Sequence, residues 1–196
     1  MRTLLGVTTL IGLSFMGTAH AEDLAENSLI VGVSPFGGSL SYSYAFSSRT
    51  NVQATFGGIP ESSFLSVNVD GTDYDVTAKA SWAGGFINHR PAENADWFRL
   101  NMGIGFGSIE NTLVDSSGDS YDVNFKETPV AYMGVGFGLR PTKGLQYGLD
   151  VGALFGAGAV VTADPENAGD ALDAIADSPI AANVLPNAQL TIGWGF

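Results

Sequence analysis

The last ten residues of the chain, 187–196, alternate between bulky apolar side chains and small or polar ones. Successive residues of an extended strand point to opposite faces, so this segment has one apolar face and one small or polar face. A terminal strand that carries aromatic residues on one face and ends on Phe is typical of a closed barrel whose outer surface contacts lipid. The apolar face carries Ala188, Leu190, Ile192, Trp194 and Phe196.

Seven earlier segments repeat this alternation, and turns rich in Gly, Pro and Asp separate them. A membrane-spanning strand needs only about 9–11 residues, whereas a spanning helix needs about 20 apolar ones. No segment after residue 21 has so long an apolar run. The sequence therefore predicts an all-β fold, an eight-stranded antiparallel up-and-down transmembrane β-barrel. The seven segments begin near Ser28, Ser39, Val52, Val76, Phe98, Ala131 and Leu145.

Three connections carry further local signals. The Asp-Gly pair at 70–71 is a strong hairpin signal. Pro60 interrupts the third segment, so either that strand bulges there or a separate hairpin begins at Phe64. Apolar spacing in the connection 164–184 predicts a short helix in the last outer loop. The residues that carry this spacing are Ala168, Leu172 and Ile175.

The first 21 residues have the features of a cleaved signal peptide. Met1-Arg2 supplies a positive start, an apolar stretch follows, and Ala19-His20-Ala21 is a cleavage site of the small-x-small type. Residues 1–21 are thus expected to be removed, leaving 22–196 as one outer-membrane barrel domain. The absence of cysteine excludes a disulfide scaffold and a lipid-modified cysteine, and a net charge of −12 excludes nucleic acid as a natural partner.

The predicted connections sort into two groups by charge when the strands run alternately up and down. Short turns on one side carry Arg49, Arg90, Arg140 and Lys143, whereas the connections on the other side are acidic. The acidic loops are either simply solvated or bind divalent cations that bridge to lipid phosphates, because carboxylate oxygens suit calcium and magnesium. The candidate ligands are Asp115, Asp119, Asp164, Glu166, Asp170 and Asp173.

The run 141–155, the acidic helical loop after it and the aromatic terminus together resemble small bacterial outer-membrane β-barrel proteins, a superfamily that includes OmpW-like proteins and the OmpA membrane domain. The resemblance implies location in the outer membrane, with outer-membrane lipid and lipopolysaccharide as partners. It also implies that the barrel-insertion machinery recognises the terminal signal. That signal would comprise Leu190, Ile192, Trp194 and Phe196.

The inward faces of the predicted strands carry a polar set and a glycine set. The lumen of an eight-stranded barrel is about filled by side chains, so the inward charges are expected to pair with one another. The glycines suggest either a narrow gated pore or space for the long side chains of Lys79, Arg99 and Tyr132. The polar set is Gln53, Lys79, Arg99, Asn101, Lys126, Asp150 and Gln189, and the glycine strip is Gly103, Gly105, Gly134 and Gly136. On the fourth strand, Val76, Trp82 and Phe86 are expected to face outward.

Catalysis is not expected, because the only histidine after residue 21 is His89, in a turn, and no carboxylate pair has the spacing of a general acid and base. No cofactor or metal site is expected in the lumen. We expect a structural or surface-interaction role with at most narrow solute passage. The alternatives are a small channel or OmpW-like conduit for small or hydrophobic compounds, and a secreted, lipocalin-like barrel with its aromatics inside.

Overall fold

The computed structural model of the protein describes residues 24–125, 129–138, 142–164 and 169–196. The predicted signal peptide, Lys126, Arg140 and Glu166 lie outside these ranges. Within these ranges the chain forms ten strands, and one α-helix, α1 (Gly169–Ala176), lies between the last two of them. The strands are β1 (Asn27–Ser34), β2 (Gly37–Ala45), β3 (Thr50–Val69), β4 (Thr72–His89), β5 (Phe98–Asp115), β6 (Ser120–Phe125), β7 (Val130–Gly138), β8 (Gly144–Phe155), β9 (Val160–Asp164) and β10 (Val184–Gly195).

Eight of these strands close into an antiparallel ring, which confirms the predicted barrel. The order around the ring is β1-β2-β3-β4-β5-β7-β8-β10, and β10 pairs back onto β1. β6 continues the line of β7 along the far half of β5, and β9 pairs with β6 outside the ring. Among the described residues, no helix has the length and apolar character needed to span a membrane.

The strands of the ring differ greatly in length. β1 has 8 residues and β3 has 20. At about 3.3 Å per residue they span roughly 26 Å and 66 Å, against about 30 Å for the hydrocarbon core of a bilayer. The far halves of β3, β4 and β5 therefore rise beyond the ring, and with β6 and β9 they form a second region, which we call the extension. The end of the ring that faces the extension is its upper end; Asn27 and Phe196 lie at its lower end.

The outer face of the ring is covered by exposed apolar side chains. Phe56 is 62% exposed and Trp194 is 60% exposed, although both are large and apolar. The inward faces carry Ser, Thr, Asn, Gln and Gly instead. Exposure follows the predicted alternation on every ring strand except β4. The exposed set includes Leu29, Val31, Leu40, Tyr44, Met102, Ile104, Met133, Leu149, Val151, Leu190 and Ile192.

The predicted orientation of β4 is wrong. Its even-numbered residues face inward, so Val76 is buried and Trp82 and Phe86 line the lumen, while Lys79 is exposed on the outside. Lys79 instead lies opposite Glu110 of β5 in the antiparallel register. The upper half of β4 belongs to the extension, whose apolar face packs inward against other protein, which accounts for Val76. Lower on the strand, the rings of Trp82 and Phe86 lie against the inward glycines Gly57 and Gly103, which leave room for them.

The structure tests two local predictions, the interruption of β3 at Pro60 and the turn at residues 70–71. β3 is one strand that passes Pro60 through register shifts between Ile59 and Ser62 and between Ser63 and Leu65, so the bulge is correct and the separate hairpin is not. Asp70 and Gly71 have φ values of 49° and 85°, as a tight two-residue hairpin turn requires.

The extension has a hydrophobic core of its own. Tyr74, Leu113 and Val123 are buried on the inner face of its sheet, and Ile175 of α1 packs among them with no exposed surface. The predicted loop helix is confirmed, with Leu172 packed against the same core; Ala168 lies outside the described residues. α1 therefore covers the inner face of the extension.

Candidate functional site: the lumen of the ring

The lower lumen is held together by short polar side chains that bond across neighbouring strands. Ser41 Oγ and Thr55 Oγ1 are 2.9 Å apart, and Asn51 donates to Ser43 Oγ at 2.6 Å. These contacts join β2 to β3 without a charged group. A further bond between neighbouring strands runs from Asn88 to Gln53, and two more pass over one intervening strand, from Gln189 to Ser39 and from Gln146 to Ser28.

A charged cluster lies on the lumen wall, where Arg99 of β5 reaches over β7 to Asp150 of β8. Arg99 donates from one guanidinium nitrogen to both carboxylate oxygens of Asp150, at 2.9 and 2.7 Å, and Asn101 donates to the same carboxylate. The Arg99 and Asp150 side chains are only 14% and 12% exposed. Bonds between ionised partners of this kind are the strong ones, and burial raises the cost of losing either partner.

The inward glycines are mostly covered by long side chains. A Cβ added at Gly136 would collide with Arg99 and Asp150, and one added at Gly134 would lie 2.6 Å from the Tyr132 hydroxyl. A Cβ at Gly103 would collide with the ring of Phe86. The glycines therefore make room for Arg99 and Tyr132, as one of the two sequence interpretations has it, and for Phe86, which that interpretation did not include.

Gly105 is the exception within this strip. A Cβ added there would meet only the Ala83 carbonyl oxygen, at 3.4 Å, which is ordinary contact distance. The wall at Gly105 is thus bare, and it borders an internal cavity of about 180 Å³. Trp82, Phe86, Ile109 and Leu154 line the upper part of this cavity.

Four asparagines lie on one row of paired residues that crosses six strands. Asn51 is paired with Asn88, Asn88 with Asn101, and Asn101 with Gly134. Gly134 is paired with Gly152, which in turn faces Asn187 on β10. All four asparagines line the cavity. Sequence reasoning identified only Asn101, because the pairing register that aligns the four is set by the closed ring.

Several buried oxygens on the cavity wall lack a hydrogen-bond partner. They include Asn51 Oδ1 and Asn101 Oδ1. The Tyr132 hydroxyl and the Asn187 amide lie close enough to interact, yet they close no hydrogen bond of normal geometry. Leaving such atoms without a partner costs about 1–3 kcal/mol each, so a polar occupant of the cavity is favoured.

The predicted polar set separates into two groups in the structure. Gln53, Arg99, Asn101, Asp150 and Gln189 all line the lumen cavity. Lys79 lies on the outside of the extension, and Lys126 lies outside the described residues. Sequence reasoning missed Trp82, Phe86 and Asn88, although correct assignment of either face of β4 would have identified all three.

The four residues of the predicted insertion signal share the outer face of β10. Leu190, Ile192, Trp194 and Phe196 are each more than half exposed. The end of the strand is fixed to the start of β1, because the backbones of Asn27 and Phe196 exchange hydrogen bonds of 3.1 and 2.9 Å. Recognition of this segment by insertion machinery stays a prediction.

Acidic residues of the extension do not assemble into a metal site within the described residues. No group of three or more His, Cys, Asp or Glu side chains is close enough there to hold a metal ion. The Asp115 carboxylate instead accepts hydrogen bonds from the backbone amides of Ser117 and Asp119, at 2.8 and 3.0 Å. Glu166 is outside the described ranges, so divalent cations stay a prediction without a supporting cluster.

His89 lies at the lower rim, and its Nδ1 is 2.9 Å from Thr50 Oγ1. This contact lies at the surface, and no carboxylate of the described residues forms an ion pair with the His89 imidazole. Another rim contact is the ion pair between Arg49 and Glu93. This arrangement ties two short turns together.

Comparisons with known proteins find similarity at the level of structure. No protein-family model matches the chain, and no curated protein matches its sequence. The crystal structure of Acinetobacter baumannii CarO is 15% identical, with a TM-score of 0.62, covering 88% of this chain and 98% of that one. A. baumannii CarO2 is 16% identical, with a TM-score of 0.69 and coverage of 88% and 99%. At such identity the likeness shows a shared barrel fold alone.

Proposed function

We propose that this protein is an outer-membrane β-barrel with a structural or surface-interaction role and at most narrow solute passage. Support for the membrane location comes from the closed ring and its belt of exposed apolar side chains, which in water would form an unusually large apolar surface. The matching barrels CarO and CarO2 are consistent with it. Outer-membrane lipid, lipopolysaccharide and the barrel-insertion machinery are the proposed partners.

The observation that carries the proposed role is the charged cluster in the lumen. Arg99 and Asp150 meet over the inward glycine Gly136 of β7 and fill the space that this glycine would otherwise leave for a pore. The polar ladders below them and α1 above add to the obstruction. Selective contact with partners would then fall to the extension, which rises beyond the ring and is polar on its outer face.

Single-channel recording in planar bilayers tests this role. The native protein is expected to insert without stepwise current. A double substitution, Arg99→Ser with Asp150→Ser, removes both buried charges together and should produce a small current. The matched control is Lys79→Ser with Glu110→Ser, which removes a facing pair from the outside and should leave the bilayer silent. A steady current through the native protein would favour the channel alternative.

Location is tested separately by fractionation of the cell envelope. Recovery in the outer membrane, with heat-modifiable migration on a gel, is the expected result. Recovery in a soluble fraction would favour the secreted barrel, although the exposed ring face argues against that alternative.

A further inference from the structure

We propose that the cavity beside Gly105 is a binding site for one small, uncharged, ring-containing molecule that donates a hydrogen bond, such as a phenol. The site rests on the proposed function only in needing a folded, closed ring. Arg99 and Asp150 line the same cavity lower down, and the core of the extension lies above it. Its wall includes the aromatic side chains of Trp82 and Phe86, the bare glycine Gly105 and several oxygens without partners.

The size of the cavity suits a single ring. It measures about 180 Å³, whereas an apolar cavity of about 150 Å³ is known to accept benzene. Phe86 packs edge-on against Tyr132, with ring centroids 5.8 Å apart. Trp82 is held higher on the same face of β4, where its Nε1 donates to the Phe36 carbonyl at 3.0 Å. Trp82 and Phe86 thus stand on either side of Gly84, the residue of β4 that is paired with Gly105.

The polar atoms of the site select for a donor. Asn101 donates its amide nitrogen to Asp150, so its Oδ1 must point away from the carboxylate and remains an acceptor. Asn187 offers a second amide oxygen, and the Tyr132 hydroxyl lies near it. A ligand with an N–H or O–H group would satisfy acceptors that are otherwise left without a partner.

The charges beside the site are already paired. Asp150 accepts both of its strong hydrogen bonds from Arg99 and a third from Asn101. A charged ligand would have to compete with this pair for its partner and would lose its hydration on entry, so an uncharged ligand is favoured.

Phenol titration of the folded barrel in detergent tests the site, and Trp82 is its reporter. Trp97 and Trp194 are exposed on the outside, so a Trp97→Phe, Trp194→Phe background leaves Trp82 as the fluorophore. Phenol should change the Trp82 emission saturably. Toluene, which has the ring without the donor, should bind about tenfold more weakly, as expected for loss of one hydrogen bond.

Two glycine variants distinguish binding of phenol in the cavity from partition of phenol into the detergent micelle. Gly105→Leu fills the bare wall and should abolish the saturable change. Gly85→Leu is the matched control, because it adds the same side chain on the outer face of the neighbouring strand, where a Cβ meets nothing within 4 Å. If Gly105→Leu fails to give heat-modifiable barrels, Asn187→Leu removes an acceptor and fills the cavity from β10 instead.

The inference is overturned if phenol gives no saturable change, if Gly105→Leu and Asn187→Leu both retain it, or if toluene binds as tightly as phenol. A silent barrel that binds no phenol would reject this inference and leave the proposed role intact. A conducting barrel that binds phenol would reject the proposed role and leave this inference intact.

Discussion

The ring and the extension share three long strands, yet along β5 the apolar face is the outer one in the ring and the inner one in the extension. In the ring, apolar side chains such as Met102 and Ile104 point outward, and polar ones such as Asn101 point inward. In the extension, Leu113 of the same strand is buried inside, while Glu110 is exposed outside. β5 keeps its alternation throughout. The difference teaches that alternation fixes two faces, while the surroundings decide which face is apolar.

The two interiors also use different interactions. The ring interior depends on directional hydrogen bonds and one buried ion pair. The extension interior depends on apolar contact, with Tyr74 and Tyr121 packed edge-on at 5.7 Å. Substitutions in the ring interior are costly when they leave a buried charge without its partner. Substitutions in the extension interior lower stability mainly through the side-chain volume that they remove.

The largest expected effect comes from breaking the buried ion pair of the ring. Asp150→Leu leaves the Arg99 guanidinium without its partner and should lower the free energy of unfolding by about 3–5 kcal/mol. The measurement is urea unfolding of the folded barrel, followed by tryptophan emission. Arg99→Met together with Asp150→Leu should recover much of the loss; a double variant as unstable as the single one would contradict the pairing.

A cavity in the extension should have a similar but confined effect. Ile175→Ala removes the fully buried side chain of α1, a change that typically costs about 2–5 kcal/mol. Protease cleavage within 169–181 should become faster, while heat-modifiable migration of the ring is unchanged. Asp173→Ala, on the same helix with an exposed side chain, is the control. Loss of the barrel band in Ile175→Ala would mean that the two regions fold as one unit.

A charge on the outer face should separate lipid-facing from water-facing surface. Ile192→Arg on the ring is expected to cost about 2–4 kcal/mol in a bilayer if it lies near the midplane. Thr77→Arg on the outer face of the extension should stay within about 0.5 kcal/mol of the native value. Unfolding in lipid vesicles measures both, and equal costs would contradict the boundary between the regions.

The smallest effect is expected from alkaline pH in the extension. Burial, and secondarily the neighbouring Tyr74, Asp115 and Asp119, raise the pKa of Tyr121 above its ordinary value of 10.0. The folded state thus holds this proton more tightly than the unfolded state, so its contribution is complete below pH 10.0 and falls as pH rises above it. Protease sensitivity of the extension should rise there, and Tyr121→Phe should remove that increment.

Sequence alone determined the strand count of the ring, the tight turn at 70–71, the loop helix and the apolar face of β10. Each depends on neighbours within a few residues, and period-two alternation is a local property. Pairing of Arg99 with Asp150 could also be predicted from the sequence, since a narrow lumen leaves inward charges few other partners.

Only the tertiary structure decided which way β4 faces, that Lys79 lies outside, and that Arg99, Tyr132 and Phe86 fill the glycine strip. It also aligned the asparagine row, from Asn51 to Asn187, along a register that exists only once the ring is closed. The physical reason is that a strand's two faces are equivalent until something covers one of them. On the upper half of β4 the covering element is α1, roughly a hundred residues away in the chain.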